Sequence, residues 1–410
     1  MKIHMVGIGG IGMSALAQLY VAHGETVTGS DREHSMVTEL LEKKGIAVTV
    51  PQTERNIPDD TDLVVYSDAV PETNPERERA HQMGIRQVSY FQALGEVSKN
   101  TLTIAVAGTH GKTTTTAMLT KILKDAGKNP TAIIGSIVKD FGSNFVEGTP
   151  GLLVVEACEY RDHLLELHPT FLVITNIEWD HTDWFKTEDD LRATFQKAID
   201  AVPHDGKVID ASVYGKEPAY ELSLIGEFNK DNARAAAAAA KAAFPDIADE
   251  QIRASLASFH GTWRRFEKKG STLEGALVYD DYAHHPTAIR KTLEAAREHF
   301  PEKRILLAFH PHLFSRTRDL FEDFAASLAH ADQVVIAPIY AAREAPIPEV
   351  TSEKLAEAVN ARGGHARAVQ TLEEIERLLR LEAGPQDLIL TMGAGDIYKV
   401  ADRLVGGNLA

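Results

Sequence analysis

Cysteine is almost absent from this chain: Cys158 is the only one in 410 residues. A single thiol excludes an internal disulfide and any cysteine-rich zinc site, and it suits a reducing, cytoplasmic compartment. An excess of positive charge is lacking too. Lys and Arg number 43 against 59 Asp and Glu, for a formal net charge of −16. A field of that sign disfavours nucleic acid and anionic membranes as partners, although a local cradle can still hold a phosphorylated ligand. Long apolar runs are missing, and no segment approaches the ~18 residues of a membrane span. The apolar opening, residues 1–16, is interrupted by glycines. It reads as a strand and a glycine turn rather than an export signal. What remains, 44% hydrophobic and 25% charged residues, is the composition of a soluble globular protein. The length suggests roughly two to three domains.

The most informative stretch is LTIAVAGTHGKTTTTAMLTKIL, residues 102–123. Leu102, Ile104 and Val106 predict a buried strand, and Met118, Leu119, Ile122 and Leu123 have helical spacing. Between them lie Gly108, Thr109, His110 and Gly111. A strand, a glycine turn and a helix N-terminus bring backbone amides and the positive helix end to one point, which is a phosphate cradle. Lys112 would then reach the β- and γ-phosphates of a triphosphate, and the Thr113 hydroxyl would take a place on Mg²⁺. The match is imperfect, because Val106 stands where the general pattern wants glycine. The bland alternative is an ordinary strand-to-helix turn with a solvated lysine.

Residues 1–98 predict one α/β unit. A strand over residues 3–8 leads into Gly7-Ile8-Gly9-Gly10-Ile11-Gly12, then a helix over 14–23 and a strand over 26–30 that runs into Asp31. G-x-G-x-x-G followed by an acid at this spacing is the pattern of a dinucleotide fold. The cradle itself recognises a diphosphate, so a sugar nucleotide satisfies the same geometry as NAD. Residues 67–75, SDAVPETNP, form a polar loop after the strand 63–66, where ligands of open α/β sheets collect. Ser67 and Asn74 there could equally be turn chemistry.

The second unit is expected over 99–262. The strand Leu152–Val155 ends in Glu156, and the strand 171–175 ends in Asn176-Ile177-Glu178-Trp179-Asp180-His181. A carboxylate and an imidazole beside a triphosphate are plausible Mg²⁺ ligands, directly or through water, or else a cap and a surface histidine. Residues 232–244 predict an alanine-rich helix, and the turn 226–229 before it could read an adenine edge. From 263 the pattern restarts. A strand over 276–279 leads into Asp280-Asp281-Tyr282-Ala283-His284-His285-Pro286, and a strand over 304–309 into His310-Pro311-His312. Strands over 333–337 and 387–392 complete the sheet. Zinc is not expected at the histidines, because the neighbouring carboxylates lack ligand spacing.

Taken together, GIGGIGMSAL, AGTHGKTTTT, EACEY, NIEWDH, GEFNKDN, RRFE, DDYAHHPTAI and SRTRDLF resemble the Mur ligases over essentially the whole chain. The resemblance implies an α/β fold of three domains: a Rossmann-like N-terminal domain (1–98), a central P-loop ATPase-like domain (99–262) and a Rossmann-like C-terminal domain (263–410). It implies a cytoplasmic enzyme of peptidoglycan synthesis, with ATP and Mg²⁺ as cofactors. The reaction implied is transfer of the γ-phosphoryl group to the lactyl carboxylate of UDP-N-acetylmuramate, followed by attack of L-alanine. The family-like motifs assign Gly108, Thr109, His110, Gly111, Lys112, Thr113 and Thr114 to the triphosphate. Thr113 and Glu156 would hold one magnesium and His181 a second. Asn229 and Asn232 would bind adenine, Asp281 the ribose and Arg265 the phosphates. Gly9, Gly10, Ile11, Gly12, Ser14, Asp31, Ser67 and Asn74 would hold the sugar nucleotide, while Tyr282, His284 and Arg316 would line the amino-acid end.

Three departures stand out. Leu313 replaces an arginine of some relatives and could narrow the pocket mouth. Phe195 falls near the position of a carbamylated lysine in sister ligases, with Lys197 nearby, so no carbamylation is expected. Only 22 residues separate Pro203 from Gly226, so the central sheet should lack a peripheral β element. A monomer or weak homodimer is expected. The alternatives are an NAD-dependent dehydrogenase, a non-catalytic nucleotide sensor, and a ligase that adds a preformed tripeptide to the same sugar nucleotide.

Overall fold

The computed structural model describes residues 1–213, 218–342 and 344–406. Three sheets follow one another along the chain. The first contains β1 (Lys2–Val6), β2 (Thr26–Ser30), β3 (Ala47–Thr49), β4 (Leu63–Tyr66) and β5 (Arg86–Ser89), in the order β3-β2-β1-β4-β5. The second contains β6 (Leu102–Ala107), β7 (Thr131–Val138), β8 (Ser143–Val146), β9 (Leu152–Glu156), β10 (Phe171–Ile174) and β11 (Lys207–Asp210), in the order β11-β10-β6-β9-β7-β8. The third contains β12 (Glu267–Ser271), β13 (Leu277–Asp281), β14 (Arg304–Phe309), β15 (Gln333–Ile336), β16 (Ala366–Ala368) and β17 (Asp387–Met392), in the order β12-β13-β17-β14-β15-β16. All pairings are parallel except β7 with β8 and β12 with β13. Parallel strands are covered by helices on both faces and so read as unbroken apolar runs; Ile305 to Phe309 in β14 are all buried.

The chain forms two compact units. One comprises Met1–Ile177, Arg192–Tyr220 and Asn232–Phe259; the other comprises Glu178–Leu191, Glu221–Asp231 and His260–Ala410. The expected divisions at 98/99 and 262/263 fall between sheets, but the first two sheets share one unit. Asn144 on β8 shows how they are joined. Its amide donates to the Ile11 carbonyl at 2.6 Å and to the Ser14 hydroxyl at 3.0 Å. Ser14 is thus fully buried at a sheet-to-sheet contact, its hydroxyl donating to the Ile11 carbonyl and accepting from Asn144.

The helix expected over 232–244 starts earlier, at Glu227–Ala243. Gly226-Glu227-Phe228-Asn229 is therefore the helix entry and not a free turn. Its alanines, such as Ala233, Ala236 and Ala240, have no exposed surface. Side chains this small let the backbone pack closely. After β11, residues 211–213 and 218–225 add no further strand, as the short segment suggested; positions 214–217 lie outside the described residues. No described helix is long and apolar enough to cross a membrane.

The first sheet also buries a charged side chain. Glu76 has no exposed surface and accepts from Ser30 Oγ at 2.5 Å, Asn56 Nδ2 at 2.6 Å and the Thr53 amide at 3.2 Å. His4 Nε2 lies 3.2 Å from Oε2, the oxygen that also takes the Ser30 bond. Replacing this acceptor strands several buried donors at once. Glu76→Ala should therefore cost on the order of 2–4 kcal/mol, measured as a lowered denaturant midpoint. A loss below ~0.5 kcal/mol, the scale of an ordinary surface substitution, would contradict this account.

Candidate active site

Two glycine turns occupy the carboxyl ends of two parallel sheets, both in the first unit. The earlier one joins β1 to the helix Ile11–Ala22. It lies where the strand order reverses around β1, the crevice in which open α/β sheets bind ligands. The amides of Gly7 and Ile8 both go to the Ser30 carbonyl, and Gly10 donates to Gly7. Asp31 accepts from the Gly9 amide at 2.8 Å and from Arg32 at 2.7 Å. The carboxylate expected at the ligand thus shapes the loop. What is left to face an anion is the first turn of the helix, where Ile11, Gly12 and Met13 have no intrahelical acceptor.

Ser67 and Asn74 each make local hydrogen bonds. The Asn74 oxygen caps the helix Pro75–Gln82 by accepting from Glu76 and Arg77, and its amide donates to Gln52. Ser67 Oγ accepts from the Ala69 amide. Both positions are turn and cap chemistry.

The second turn follows β6. The Thr109 amide donates to the Asn176 carbonyl and the His110 amide to the Asn176 side chain, each at 3.0 Å. The Asn176 amide returns a bond to the His110 carbonyl at 2.9 Å. Asn176 at the end of β10 therefore sets the loop's shape, and the Thr109 and His110 amides are spent on it. Gly111 is the N-cap of the helix Lys112–Asp125 and sits at φ 83°. A side chain there would also collide with Asn232 Oδ1. The expected adenine ligand Asn232 thus lies buried against the loop itself, with Thr115 Oγ1 donating to it. Asn229 is in the second unit, its amide on the Ile225 carbonyl at 2.7 Å.

Lys112 folds back over the turn. Its ammonium donates to the Gly108 carbonyl at 2.5 Å, to the Thr109 carbonyl at 3.2 Å and to Glu159 Oε1 at 3.1 Å, and it forms an ion pair with that carboxylate. Burial alone would pull the lysine down; Glu159, with Cys158 and Glu156 behind it, holds it above its ordinary value. Glu159 is 1% exposed and was missed in the sequence, because EACEY offers nothing to single out the second acid. Glu156 ends β9 opposite Val106 of β6. Its Oε2 accepts from the Gly135 amide at 3.0 Å, where any side chain would collide with the carboxylate. Its Oε1 has no partner among the described residues. A carboxylate oxygen and the Thr113 hydroxyl at one sheet edge are hard oxygen donors, the set that suits Mg²⁺.

The second unit holds a buried cluster of charge. Arg316 is 2% exposed and donates through Nε to Asp180 Oδ1 at 2.7 Å. Its Nη1 reaches His312 Nδ1 at 3.3 Å. Asp180 also accepts from the His181 amide at 2.6 Å. Burial pushes Asp180 up, but the Arg316 guanidinium and the surrounding histidines hold it well below the carboxylate range. His284 donates through Nδ1 to the Tyr282 carbonyl at 2.9 Å and turns Nε2 toward Asp180 Oδ2 at 3.9 Å. Burial and Arg316 depress it far below the usual histidine value, so it is neutral at pH 7. The resemblance gave Arg316 to a substrate carboxylate; in the structure Asp180 has the first claim on its guanidinium.

Asp281 is similarly committed: Oδ1 accepts from the Ala283 amide at 2.9 Å and Oδ2 from Thr292 at 3.0 Å. Arg265 lies 5.0 Å from the centre of the Tyr282 ring. Leu313 is buried at 1% exposure rather than at a pocket mouth, and it holds φ at 72°. His181, Arg264 and Phe266 share that left-handed conformation at φ 52°, 58° and 45°. Such strain persists where surrounding contacts over-determine the backbone, and it gathers at functional sites.

These loops and carboxylates belong to a class of nucleotide-using enzymes that known families describe segment by segment. The Mur ligase family catalytic domain matches residues 2–101. The Mur ligase middle domain matches 106–214, and the Mur ligase glutamate ligase domain matches 264–395. The chain belongs to the Mur ligase family. A UDP-N-acetylmuramate–L-alanine ligase of Lachnospira eligens is 39% identical to it, with 98% of this chain and 97% of that protein covered. The ligase of the same name from Desulfitobacterium hafniense is also 39% identical, covering 99% of each. Among solved structures, the UDP-N-acetylmuramate–alanine ligase of Thermotoga maritima superposes with a TM-score of 0.82 at 30% identity, over 98% of both chains. A murein peptide ligase of Psychrobacter arcticus reaches 0.73 at 25%, over 99% of this chain and 100% of its own.

Two outcomes follow from the charge placement. Glu159→Ala leaves a buried ammonium without its counter-charge and should cost on the order of 3–5 kcal/mol, whereas the Lys112→Met, Glu159→Leu pair should recover most of it. Denaturant unfolding of the four members of that cycle measures the coupling; additive losses would refute the pairing. Asp281 supplies the second. Burial, against Arg265 and two hydrogen bonds, raises its pKa to about 6. The folded state then binds the proton more tightly than the unfolded one, whose value is ~3.9. Its contribution therefore favours folding below pH ~4, is lost as pH rises to about 6, and is constant above. Asp281→Asn should match the wild type at pH 4 and exceed its stability at pH 7, by roughly 3 kcal/mol at most. A constant difference across that range would rule this out.

Proposed function

We propose that the protein joins L-alanine to the lactyl carboxylate of UDP-N-acetylmuramate at the expense of ATP. The observation that carries this reading is the pair of separate phosphate cradles on one unit, only one of which is followed by a lysine. The Lys112 turn suits a triphosphate, and the Gly7–Gly12 turn suits a diphosphate. Two curated relatives at 39% identity over nearly the whole chain bear the alanine-adding name, and the structural likeness to the alanine-adding ligase exceeds that to the peptide-adding one. Both favour L-alanine over a preformed tripeptide.

The chemistry runs in two displacements. A lactyl carboxylate oxygen attacks the γ-phosphorus, the bond to the β-phosphate oxygen breaks, and ADP leaves behind an acyl phosphate. The neutral amine of alanine then attacks the acyl carbon and expels inorganic phosphate. Carboxylate and triphosphate repel, so the first step needs positive charge at the γ-phosphoryl group. Lys112 provides it by exchanging Glu159 and the loop carbonyls for phosphate oxygens. Thr113 and Glu156 would hold Mg²⁺, and His181 would contact a second ion. Bound there, the metal supplies charge neutralisation and a fixed orientation for the phosphates. In the second step His284, neutral and with Nδ1 committed to Tyr282, presents Nε2 as a hydrogen-bond acceptor that orients the amine of alanine. Arg265 serves the phosphates and Tyr282 lines the amino-acid end.

ADP release should require both UDP-N-acetylmuramate and an amino acid; brisk release with neither would sink the reading. Lys112→Ala should lower the rate by roughly 10² or more, the scale of one preorganised electrostatic group. L-alanine should exceed Gly and L-Ser by only ~10–200-fold in kcat/KM, the range available to one methyl group. Mass spectrometry of products from a mixture that includes the tripeptide reads this directly. A dominant tripeptide adduct would overturn the alanine assignment.

A further inference from the structure

Tyr90 lies outside every motif used so far. It opens the helix Tyr90–Ser98, whose N-cap Ser89 forms a capping box with Gln92. The next residue, Phe91, stacks on His163 with ring centroids 3.7 Å apart, and His163 Nε2 is 3.0 Å from Asp68. One turn on, Gly95 packs so closely on the Glu166 backbone that a side chain would collide. The start of this helix is therefore clamped, and the Tyr90 ring has a fixed place. That place is against Gly12: the ring Cζ and Oη lie 2.6 and 2.8 Å from where a Gly12 Cβ would stand. Gly12 belongs to the helix turn whose amides face the first phosphate cradle. The Tyr90 hydroxyl has no hydrogen-bond partner among the described residues. Burial first, then Glu156 and Cys158, push the phenol up, so it keeps its proton at neutral pH and can only add donor capacity to an anion.

We propose that the Tyr90 hydroxyl donates a hydrogen bond to the diphosphate of the sugar nucleotide seated at the start of the Ile11–Ala22 helix. This rests on the ligase reading above. A neutral donor suits the position better than a lysine or arginine, because a cation beside Glu156 would pair with that carboxylate and weaken its hold on a metal. The absent side chain at Gly12 leaves the space in which the phenol reaches the cradle.

Tyr90→Phe keeps the ring and removes only the oxygen. Its KM for UDP-N-acetylmuramate and its dissociation constant for UDP, read by calorimetry without turnover, should both rise roughly tenfold or more, the scale of a hydrogen bond to a charged group. KM for ATP, KM for L-alanine, kcat and the unfolding temperature should stay within about twofold or a degree of wild type. Gly12→Ala, which displaces the ring, should weaken UDP binding in the same direction. Unchanged UDP affinity in Tyr90→Phe overturns the proposal, as does a rise in KM with UDP unaffected, because UDP has the diphosphate but no carboxylate. If the wild type binds UDP but shows no ADP release with UDP-N-acetylmuramate, the ligase reading fails while the Tyr90 contact is still decided by the UDP measurement.

Discussion

The register of β6 governs the first unit. Val106 lies opposite Glu156 of β9, and Ala107 opposite Ile174 of β10. That alignment puts the glycine turn, the Glu156 carboxylate and Asn176 at one sheet edge within a residue or two of each other. A slip of one residue would turn Glu156 to the opposite face and take Asn176 off the loop. The alternative registers are closed by burial, since Ile104 to Ala107 have no exposed surface and no polar side chain could replace them there. Hydrophobic packing thus fixes the positions of groups whose own interactions are polar.

In the second unit the same role falls to buried charge. Arg264 binds Asp280 at 2.8 Å and the carbonyls of Gly393 and Gly395, which ties β13 to the turn after β17. Arg316 binds Asp180 and His312. Guanidinium suits both places because it stays charged and carries several donors in a plane. Each pair costs desolvation that only a complete set of partners offsets, so each holds its loop in one arrangement. His284 is tuned by the same guanidinium: a nearby cation and a dry surrounding keep an imidazole neutral.

The legible parts of this chain were those written in local pattern. The strands Leu63–Tyr66, Arg304–Phe309 and Asp387–Met392 end where their apolar runs end, and the two glycine turns announce themselves by spacing. The illegible parts are side-chain pairs across long stretches of chain. Glu159 meets Lys112 over 47 residues and Arg316 meets Asp180 over 136; nothing near either acid marks it. Polar residues at helix starts have more than one use. Asn74 and Ser14 have the right chemistry for a ligand, but capping a helix and joining two sheets need the same oxygens. The early start of the Glu227–Ala243 helix was hidden because Gly226 and Asn229 are turn formers by composition.

The folded-back Lys112 has a meaning for selectivity in the cell. A phosphate loop with an open ammonium would bind any small anion in its surroundings, and inorganic phosphate and sulfate are always there. Here the ammonium already has a carboxylate and two carbonyls. Any anion that takes the ammonium has first to displace a carboxylate and two carbonyls. The charge that such an anion must compete with comes from Glu159 rather than from the glycines.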